Sequence, residues 1–347
     1  MNISDILLGA AIIIAAPAVN RVGEAKAQQI HPDQVVVDSP FVHDPVLAYE
    51  NGKYYLYSTG HGISQMTSAD RKHWTLCREG VLKNHEIPAW THDSVPGFHT
   101  HIWAPDVIHY RNKWYLAYSC STFGKNTSAI GLLSNTSLAN MNGWKDEGCI
   151  LASEGKRDNW NAIDPNFVID DKGNPWMTWG SFWDGIQLVK LDKKTMHVKK
   201  GAKPQTIARR HAFGDASAEL NPTSKFAGTN AIEAPFIMKH GGYYYLFVSW
   251  DYCCRGIKSN YRVAVGRSKN VAGPYLDENG KDMRNGGGTL ILEGDKKEFE
   301  AMGHCSAYSF PDGDFFICHG FRISKIGASI LVQKKINWTE NGWLTLE

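Results

Sequence analysis

One pattern of polar and apolar residues recurs about five times along the chain. Each copy begins with a polar or acidic residue, usually beside a proline, and continues with an apolar run, a Gly or Asn turn and an aromatic run. The first copy is HDPVLAYENGKYYLYS at 43–58, and the others occupy 103–119, 163–179, 232–247 and 303–318. Apolar runs bounded by Asn-Gly, Gly-Gly or Asp-Gly are typical of antiparallel hairpins. No long segment keeps the 3.6-residue period of a helix.

The spacing of these copies predicts an all-β fold, namely a five-bladed β-propeller. The marker residues lie 62, 58, 69 and 71 residues apart and are Asp44, Asp106, Asp164, Glu233 and His304. Each interval has room for about four short strands with their turns, which is one propeller blade. A two-sheet sandwich repeated in two domains is an alternative, but it does not explain five similar segments. If the ring closes, we expect the strand near 35–37 to lie beside the last blade, around 330–332.

The amino terminus resembles a targeting segment. Residues 6–19 are fourteen uncharged, mostly apolar residues, and Ala25-Lys26-Ala27 offers a small-x-small cleavage site. Residues 1–5 contain no Lys or Arg, so an uncleaved anchor or a misassigned start codon stays open. We predict a signal peptide over 1–27, a single propeller domain over 28–347, and export to the periplasm or the medium. No other stretch is apolar enough to span a membrane.

Composition narrows the possible functions. The 347 residues carry a formal net charge of +2, which argues against a nucleic-acid binder. The chain has 14 Phe, 12 Trp and 14 Tyr, together with 33 Gly, as expected for strands and tight turns. Seven cysteines cannot all pair within one chain. The sequence contains no CxxC spacing, so a structural zinc site is not expected. The adjacent Cys253 and Cys254 form either a vicinal disulfide or two thiols.

Propeller geometry predicts where chemistry gathers. The first strand of each blade lines a central channel, so Asp44, Asp164, Glu233 and His304 converge at one end of it, with Asp106 slightly out of phase. Neighbouring carboxylates raise one another's pKa, an arrangement typical of sites that need both a proton donor and an acceptor. Aromatic and amide side chains nearby, at 99–103, 160–163, 181–184 and 250–252, suit a carbohydrate. Candidate rim residues are Trp103, Phe123 and Trp183.

The chain resembles glycoside hydrolase family 43, and within it the endo-α-1,5-L-arabinanases, over nearly its whole length after residue 27. The motifs that carry the resemblance are VHDPV at 42–46, HIWAPDV at 101–107, STFGKNTSAIGL at 121–132, NAIDPNF at 161–167, WGSFWDGI at 179–186, AIEAPF at 231–236, YCCRG at 252–256, VGRSKNVAGPY at 265–275 and GGGT at 286–289. The resemblance implies the same five-bladed propeller and a hydrolase that acts on arabinan and arabino-oligosaccharides.

The resemblance also implies roles for individual residues. Asp44 is the expected general base, Glu233 the general acid, and Asp164 the residue that holds the acid and raises its pKa. His304 is expected to bind a calcium or similar ion in the channel, although Cys305 departs from the expected small polar residue. The expected substrate contacts are Trp103, Phe123, Gly124, Asn161, Ser181, Phe182 and Trp183.

We therefore predict that a monomer cleaves internal α-1,5-L-arabinofuranosidic bonds by single-step inversion. Inversion requires roughly 6.5–9.5 Å between acid and base. Exo-acting α-L-arabinofuranosidase or β-xylosidase activity is the nearest alternative, because the same carboxylates serve those reactions. A carbohydrate-binding propeller without catalysis is a further alternative, which the presence of all three carboxylates disfavours.

Overall fold

Five antiparallel sheets are built from successive stretches of the chain, except that Gly60–His61 lies within the first stretch and pairs with the second sheet. The computed structural model describes residues 36–77, 79–212 and 228–347. The predicted signal peptide, 1–27, lies outside the described residues. Within these ranges, every helix is too short or too polar to cross a lipid bilayer.

The strands of the first two sheets, in chain order, are β1 (Val36–Val37), β2 (Val46–Glu50), β3 (Lys53–Ser58), β4 (Gly60–His61), β5 (Ser64–Ser68), β6 (Trp74–Cys77), β7 (His101–Tyr110), β8 (Lys113–Cys120), β9 (Ser128–Asn135) and β10 (Lys145–Ser153). Those of the remaining sheets are β11 (Asn166–Ile169), β12 (Pro175–Trp179), β13 (Ile186–Lys190), β14 (Gln205–Ala208), β15 (Ile232–His240), β16 (Tyr243–Trp250), β17 (Arg262–Ser268), β18 (Thr289–Leu292), β19 (Phe299–Phe310), β20 (Gly313–Arg322), β21 (Ala328–Trp338) and β22 (Leu344–Leu346). One short α-helix, α1 (Trp90–Ser94), and single 3-10 turns at Lys83–His85, Met141–Gly143, Gly256–Lys258 and Ile323–Lys325 complete the described elements.

The sheets are the blades of a five-bladed β-propeller, which confirms the predicted fold. The five inner strands contact one another in a closed ring, in the order β2, β7, β11, β15 and β19. The hairpin turns use the predicted residues: Asn51 and Gly52 have φ of 51° and 81°, as a tight turn between twisted strands requires.

The hydrophobic core consists of layers between neighbouring blades rather than one central mass. Tyr57 and Tyr118 belong to the layer between the first and second blades, and Phe247 and Phe316 to that between the fourth and fifth. All four rings are fully buried. Burial of one such side chain stabilises the fold by about 1.5–3 kcal/mol. The aromatic runs of the repeat therefore hold the blades together.

Ring closure differs from the prediction. Val36 and Val37 pair with β6 in the first blade, not with the last blade. The contact with the fifth blade comes a few residues later: Phe41 bridges Ile330, and the Val42 N–H donates to the Ser329 carbonyl over 3.2 Å. The segment first adds an outer strand to its own blade and only then crosses to β21, so the prediction was a few residues out of register.

One residue per blade has a positive φ at the same point of the inner segment. These residues are Asp44 (55°), Ala104 (41°), Asp164 (58°), Ala234 (52°) and His304 (49°). We call them the kink residues. They are 60, 60, 70 and 70 residues apart, so the true register differs from the sequence markers in two blades. Glu233 immediately precedes the kink residue of the fourth blade, and Asp106 lies two residues after that of the second blade. These two acids therefore do not occupy equivalent positions in their blades.

Each kink N–H is tied to the preceding blade. The residue fifteen positions after each kink residue lies near the end of that blade's second strand, and in four blades it accepts the next kink N–H. The four acceptors are Thr59 (2.8 Å), Ser119 (3.0 Å), Ser249 (2.8 Å) and His319 (3.1 Å). We call these four hydrogen bonds between neighbouring blades the ladder; they hold the kink residues in place at the mouth of the channel.

Candidate active site

Asp44, Asp164, Glu233 and His304 meet at the channel mouth, and we call this group the carboxylate pit. Three of the four are kink residues and Glu233 directly precedes one, and the strand pairing shifts register at the kinks of the second, fourth and fifth blades. A kink of this kind turns side chains toward the axis instead of alternating across the sheet. The predicted convergence is therefore observed.

Asp44 is held as a carboxylate. Its Oδ2 accepts a hydrogen bond from the Thr59 hydroxyl at 2.5 Å, and its Oδ1 lies 2.9 Å from His304 Nδ1. Burial alone would raise the pKa of Asp44, but His304, together with His43, holds that pKa well below its usual range. An ionised carboxylate is the form that a general base requires.

Glu233 is held between two hydroxyl groups. The Ser181 hydroxyl donates to its Oε2 at 2.6 Å, and the Tyr261 hydroxyl donates to its Oε1 at 2.8 Å. Burial raises the pKa of Glu233, and the two hydroxyl donors and His304 only partly oppose that rise. Burial also raises the pKa of the Tyr261 phenol well above its usual value, so this hydroxyl keeps its proton and stays a donor.

Asp164 is held near the general acid by a hydrogen bond to the backbone. Its Oδ2 accepts the N–H of Ala234, the residue that follows Glu233, at 3.1 Å. Burial, opposed by His304 but supported by the charges of Glu233 and Asp44, raises the pKa of Asp164 to about 8. Asp164 and Glu233 titrate as a pair, and with both pKa values raised the pair retains a proton near neutral pH. Acid and base thus have opposite protonation preferences in one pit.

His304 carries the compensating positive charge. Burial would lower its pKa, but the Asp44, Asp164 and Glu233 carboxylates overcome this and raise it to about 9. For the predicted ion, its Nδ1 is already used by Asp44, and both oxygens of Asp44 have partners in the protein. Calcium takes six to eight oxygen ligands. An ion here would be held mainly by water, with His304 as one ligand once its ring has lost a proton, rather than in a closed protein cage.

The predicted substrate contacts fall into different environments. Phe123 is 78% exposed, and the Cβ position of Gly124 faces open space. Trp103 is half-buried at the repeat position of Glu233, just before the kink, with its Nε1 donating to His101 Nδ1. These three residues suit a rim.

The other four predicted contacts are more enclosed. Asn161 is buried and its Oδ1 accepts a hydrogen bond from Ser128 at 2.6 Å, while Ser181 contacts Glu233 directly. Phe182 packs against Tyr252 at 5.7 Å between ring centroids, and Trp183 is only 3% exposed. Ser181 therefore positions the acid, while its predicted contact with substrate stays a prediction.

Sequence reasoning missed Thr59, Tyr261, His43 and His319. His319 Nδ1 accepts the Asp44 N–H, so its ring proton lies on Nε2, which is buried without a hydrogen-bond partner. Burial lowers the pKa of His319 well below its usual value and keeps the ring neutral. The fifteen-residue offset from each kink residue was the signal that could have found Thr59 and His319.

Asp106 lies farther along the channel, outside the pit. Its Oδ2 accepts the N–H of Phe167 at 2.7 Å and the Nδ2 of Asn166 at 3.2 Å, which ties the second blade to the third. It also lines a cavity of about 420 Å³ between the inner strands. Burial disfavours the ionised form of Asp106 and raises its pKa to about 7, and the hydrogen bonds from Phe167 and Asn166 only partly oppose this rise. Its role is in the fold.

A propeller whose channel mouth holds one ionised carboxylate beside a carboxyl pair that retains a proton has the site of a glycoside hydrolase. Comparison with known proteins agrees: the model of Glycosyl hydrolases family 43 matches residues 34–344. The chain belongs to glycosyl hydrolase family 43.

Individual relatives support this assignment. The chain is 40% identical over 305 residues, 87% of this chain and 85% of the relative, to an extracellular exo-α-(1→5)-L-arabinofuranosidase of Cellvibrio japonicus. It is 39% identical over 306 residues, 87% and 86% of the two chains, to an extracellular endo-α-(1→5)-L-arabinanase of Bacillus subtilis. A solved exo-1,5-α-L-arabinanase from a bovine ruminal metagenomic library superposes with a TM-score of 0.80 at 50% identity, covering 89% of this chain and 98% of the other.

Proposed function

We propose that this chain hydrolyses the α-1,5-L-arabinofuranosidic bonds of arabinan and arabino-oligosaccharides. The observation that carries the proposal is the opposite pKa displacement of Asp44 and of the Asp164–Glu233 pair within one pit. Arabinanases and an arabinofuranosidase of this family among the relatives support the substrate.

The proposed reaction is a single inverting displacement. Asp44 takes a proton from water as that water attacks the anomeric carbon, and Glu233 gives its proton to the departing glycosidic oxygen. Burial and mutual repulsion disfavour ionisation of both Asp164 and Glu233, so the pair keeps one proton, which Glu233 donates. Proton NMR of the first-formed product tests this: an anomer of configuration opposite to the substrate's is expected, and retained configuration would refute it.

We place internal cleavage first and exo action second. The Bacillus subtilis relative is named an endo-arabinanase, whereas the relatives at 40% and 50% identity are named exo-acting. Chromatography of products from linear debranched arabinan separates them. A ladder of oligosaccharides indicates internal cleavage, a single short product indicates exo action, and no product would exclude both. Glu233→Gln serves as the inactive control.

We also propose that residues 1–27 are a signal peptide, that the mature enzyme is exported, and that it acts as a monomer. Two relatives are named extracellular, which supports export. The expected mature amino terminus is Gln28, which sequencing of the exported protein measures. Light scattering should give the mass of one chain.

A calcium or similar ion bound through His304 and water completes the proposal. It would supply positive charge beside the carboxylates and order water in the channel. Elemental analysis of the purified chain should find one ion, and His304→Ala should lose it. An equal ion content in both proteins would contradict this site.

A further inference from the structure

Two adjacent cysteines lie beside the general base. Cys253 and Cys254 form a vicinal disulfide, and Cys254 Sγ is 3.4 Å from His43 Nε2. The two sulphur atoms and this nitrogen all lie within 4.8 Å of one another. His43 also faces Asp44, but neither sulphur atom takes part in the proposed hydrolysis, so the proposed function does not account for the cysteine pair.

We propose that reduced Cys253 and Cys254, together with His43, bind a thiophilic cation such as Zn²⁺ or Cd²⁺, and that the disulfide closes this site. A tetrahedral zinc ion has Zn–S distances of about 2.3 Å and Zn–N distances of about 2.0–2.1 Å, which puts neighbouring N and S ligands about 3.5 Å apart. The observed 3.4 Å between His43 Nε2 and Cys254 Sγ meets this requirement before any ion binds.

The imidazole and the base of the cysteine loop are fixed in place. The His43 ring stacks on His319 with 4.0 Å between centroids, which aims Nε2 at the sulphur atoms. The cysteine loop is closed at its base because the Tyr252 N–H donates to Asn260 Oδ1 at 3.0 Å and the Asn260 N–H to the Tyr252 carbonyl at 3.1 Å. Cys254 itself is exposed, so an ion has access from solvent. Ligands held in advance reduce the ordering that binding requires.

Two features separate this cluster from the other candidate ligands. The described part of the chain holds one further group of three, His43, Asp44 and His319, but His319 Nδ1 is occupied by the Asp44 N–H. The five other cysteines are free thiols outside any such group: Cys77, Cys120, Cys149, Cys305 and Cys318. Among the described residues, only the vicinal pair, once reduced, can give two thiolates and an imidazole at one point.

The redox step is balanced by a dithiol reductant. Dithiothreitol supplies two electrons and two protons, the S–S bond breaks, two S–H groups form, and the reductant becomes a cyclic disulfide. The cation then displaces the two thiol protons without a change in sulphur oxidation state. Water fills the fourth position.

The site would act on hydrolysis through its position. His43 Nε2 is also 3.7 Å from Asp44 Oδ1, so the bound cation stands next to the base. We expect reduced enzyme with Zn²⁺ to lose arabinan hydrolysis and to regain it with a chelator, while oxidised enzyme keeps its activity. This inhibition rests on the proposed function, whereas cation binding does not.

The test is a Cd²⁺ titration of the whole chain in oxidised and reduced forms, after removal of the reductant. Thiolate-to-cadmium absorption in the ultraviolet reports thiolate binding, and elemental analysis after desalting counts the ion. Reduced protein should gain one Cd²⁺ per chain over oxidised protein, and Cys254→Ser should lose it. Cys77→Ser, which changes a half-buried thiol elsewhere, should keep it.

Equal binding by oxidised and reduced protein, or full binding by Cys254→Ser, would overturn the proposal. If the variant fails to fold, wild-type protein treated with phenylarsine oxide, which caps paired thiols, replaces it: capped protein that still binds Cd²⁺ refutes the site. Binding without inhibition would contradict the placement beside Asp44, and absence of arabinan hydrolysis in every form would count against the proposed function alone.

Discussion

The hydroxyl of Tyr261 tunes the acid, and its removal has a calculable effect. It donates at 2.8 Å to Glu233 Oε1 in a buried site and so favours the ionised carboxylate. A hydrogen bond to a charged group contributes about 1.5–3 kcal/mol. At about 1.4 kcal/mol per pKa unit, Tyr261→Phe should raise the pKa of the acid pair by about 1 to 2 units.

The consequence appears in the pH profile of hydrolysis. Activity needs the protonated pair, so it falls as the pH rises through the pKa of that pair. In Tyr261→Phe, the basic limb of kcat against pH should move upward by about 1 to 2 pH units. Initial rates on linear arabinan, measured across the limb at saturating substrate, give the value. Ser181→Ala should shift the limb in the same direction, since Ser181 donates to the other oxygen.

Tyr275→Phe is the matched control. It also removes a buried phenol hydroxyl, which donates to the Val271 carbonyl at 2.8 Å, but it lies in the layer between the third and fourth blades. Its profile should coincide with that of the wild type. A Tyr261→Phe limb that stays in place or moves to lower pH would refute the assignment of Glu233 as the group that titrates there.

Three further changes test the pit and its support. Glu233→Ala should lose about 10²–10⁴-fold in kcat/KM on arabinan but much less on an aryl arabinofuranoside with a good leaving group; equal losses would contradict the acid role. Thr59→Val leaves the Ala104 N–H without its acceptor and should lower the free energy of unfolding by about 1–3 kcal/mol in a denaturant titration, and an unchanged midpoint would contradict that coupling. The pKa of Asp106, raised to about 7, lies above its unfolded value, so stability should fall as pH rises from about 4 to 7. Asp106→Asn should flatten this fall by on the order of 4 kcal/mol, and identical pH curves would contradict the burial cost.

The sequence was sufficient for the architecture because each blade repeats the same local pattern. Five hairpin-rich segments predicted five blades, and inner-strand position predicted that Asp44, Asp164 and Glu233 meet. Closure was placed a few residues early, since the outer pairing of Val36 and Val37 with β6 depends on a tertiary contact. The repeat pattern does not specify which blade this amino-terminal strand pairs with.

The fine structure of the acid was not predictable from residue types. Ser181 reaches Glu233 because Gly180, with φ of 132°, turns the chain where a Cβ would clash with the Gly185 carbonyl, and because the Phe182 N–H donates to the Ile232 carbonyl at 2.8 Å. Gly303 similarly leaves room for the ring of Tyr261, which a Cβ there would strike. These contacts join separate blades, and no pattern within one blade encodes them.

The third blade explains why Asp164 is tied to the acid. Four blades place Thr, Ser or His fifteen residues after the kink residue, but the third blade has Trp179 there, which offers no acceptor. The N–H of Ala234 would lose its partner, and a buried unpaired N–H costs about 1–3 kcal/mol. The Asp164 carboxylate takes the place of the missing acceptor at 3.1 Å. The same hydrogen bond that completes the ladder around the channel therefore holds a second carboxylate beside Glu233, so that fold and acid tuning depend on one contact.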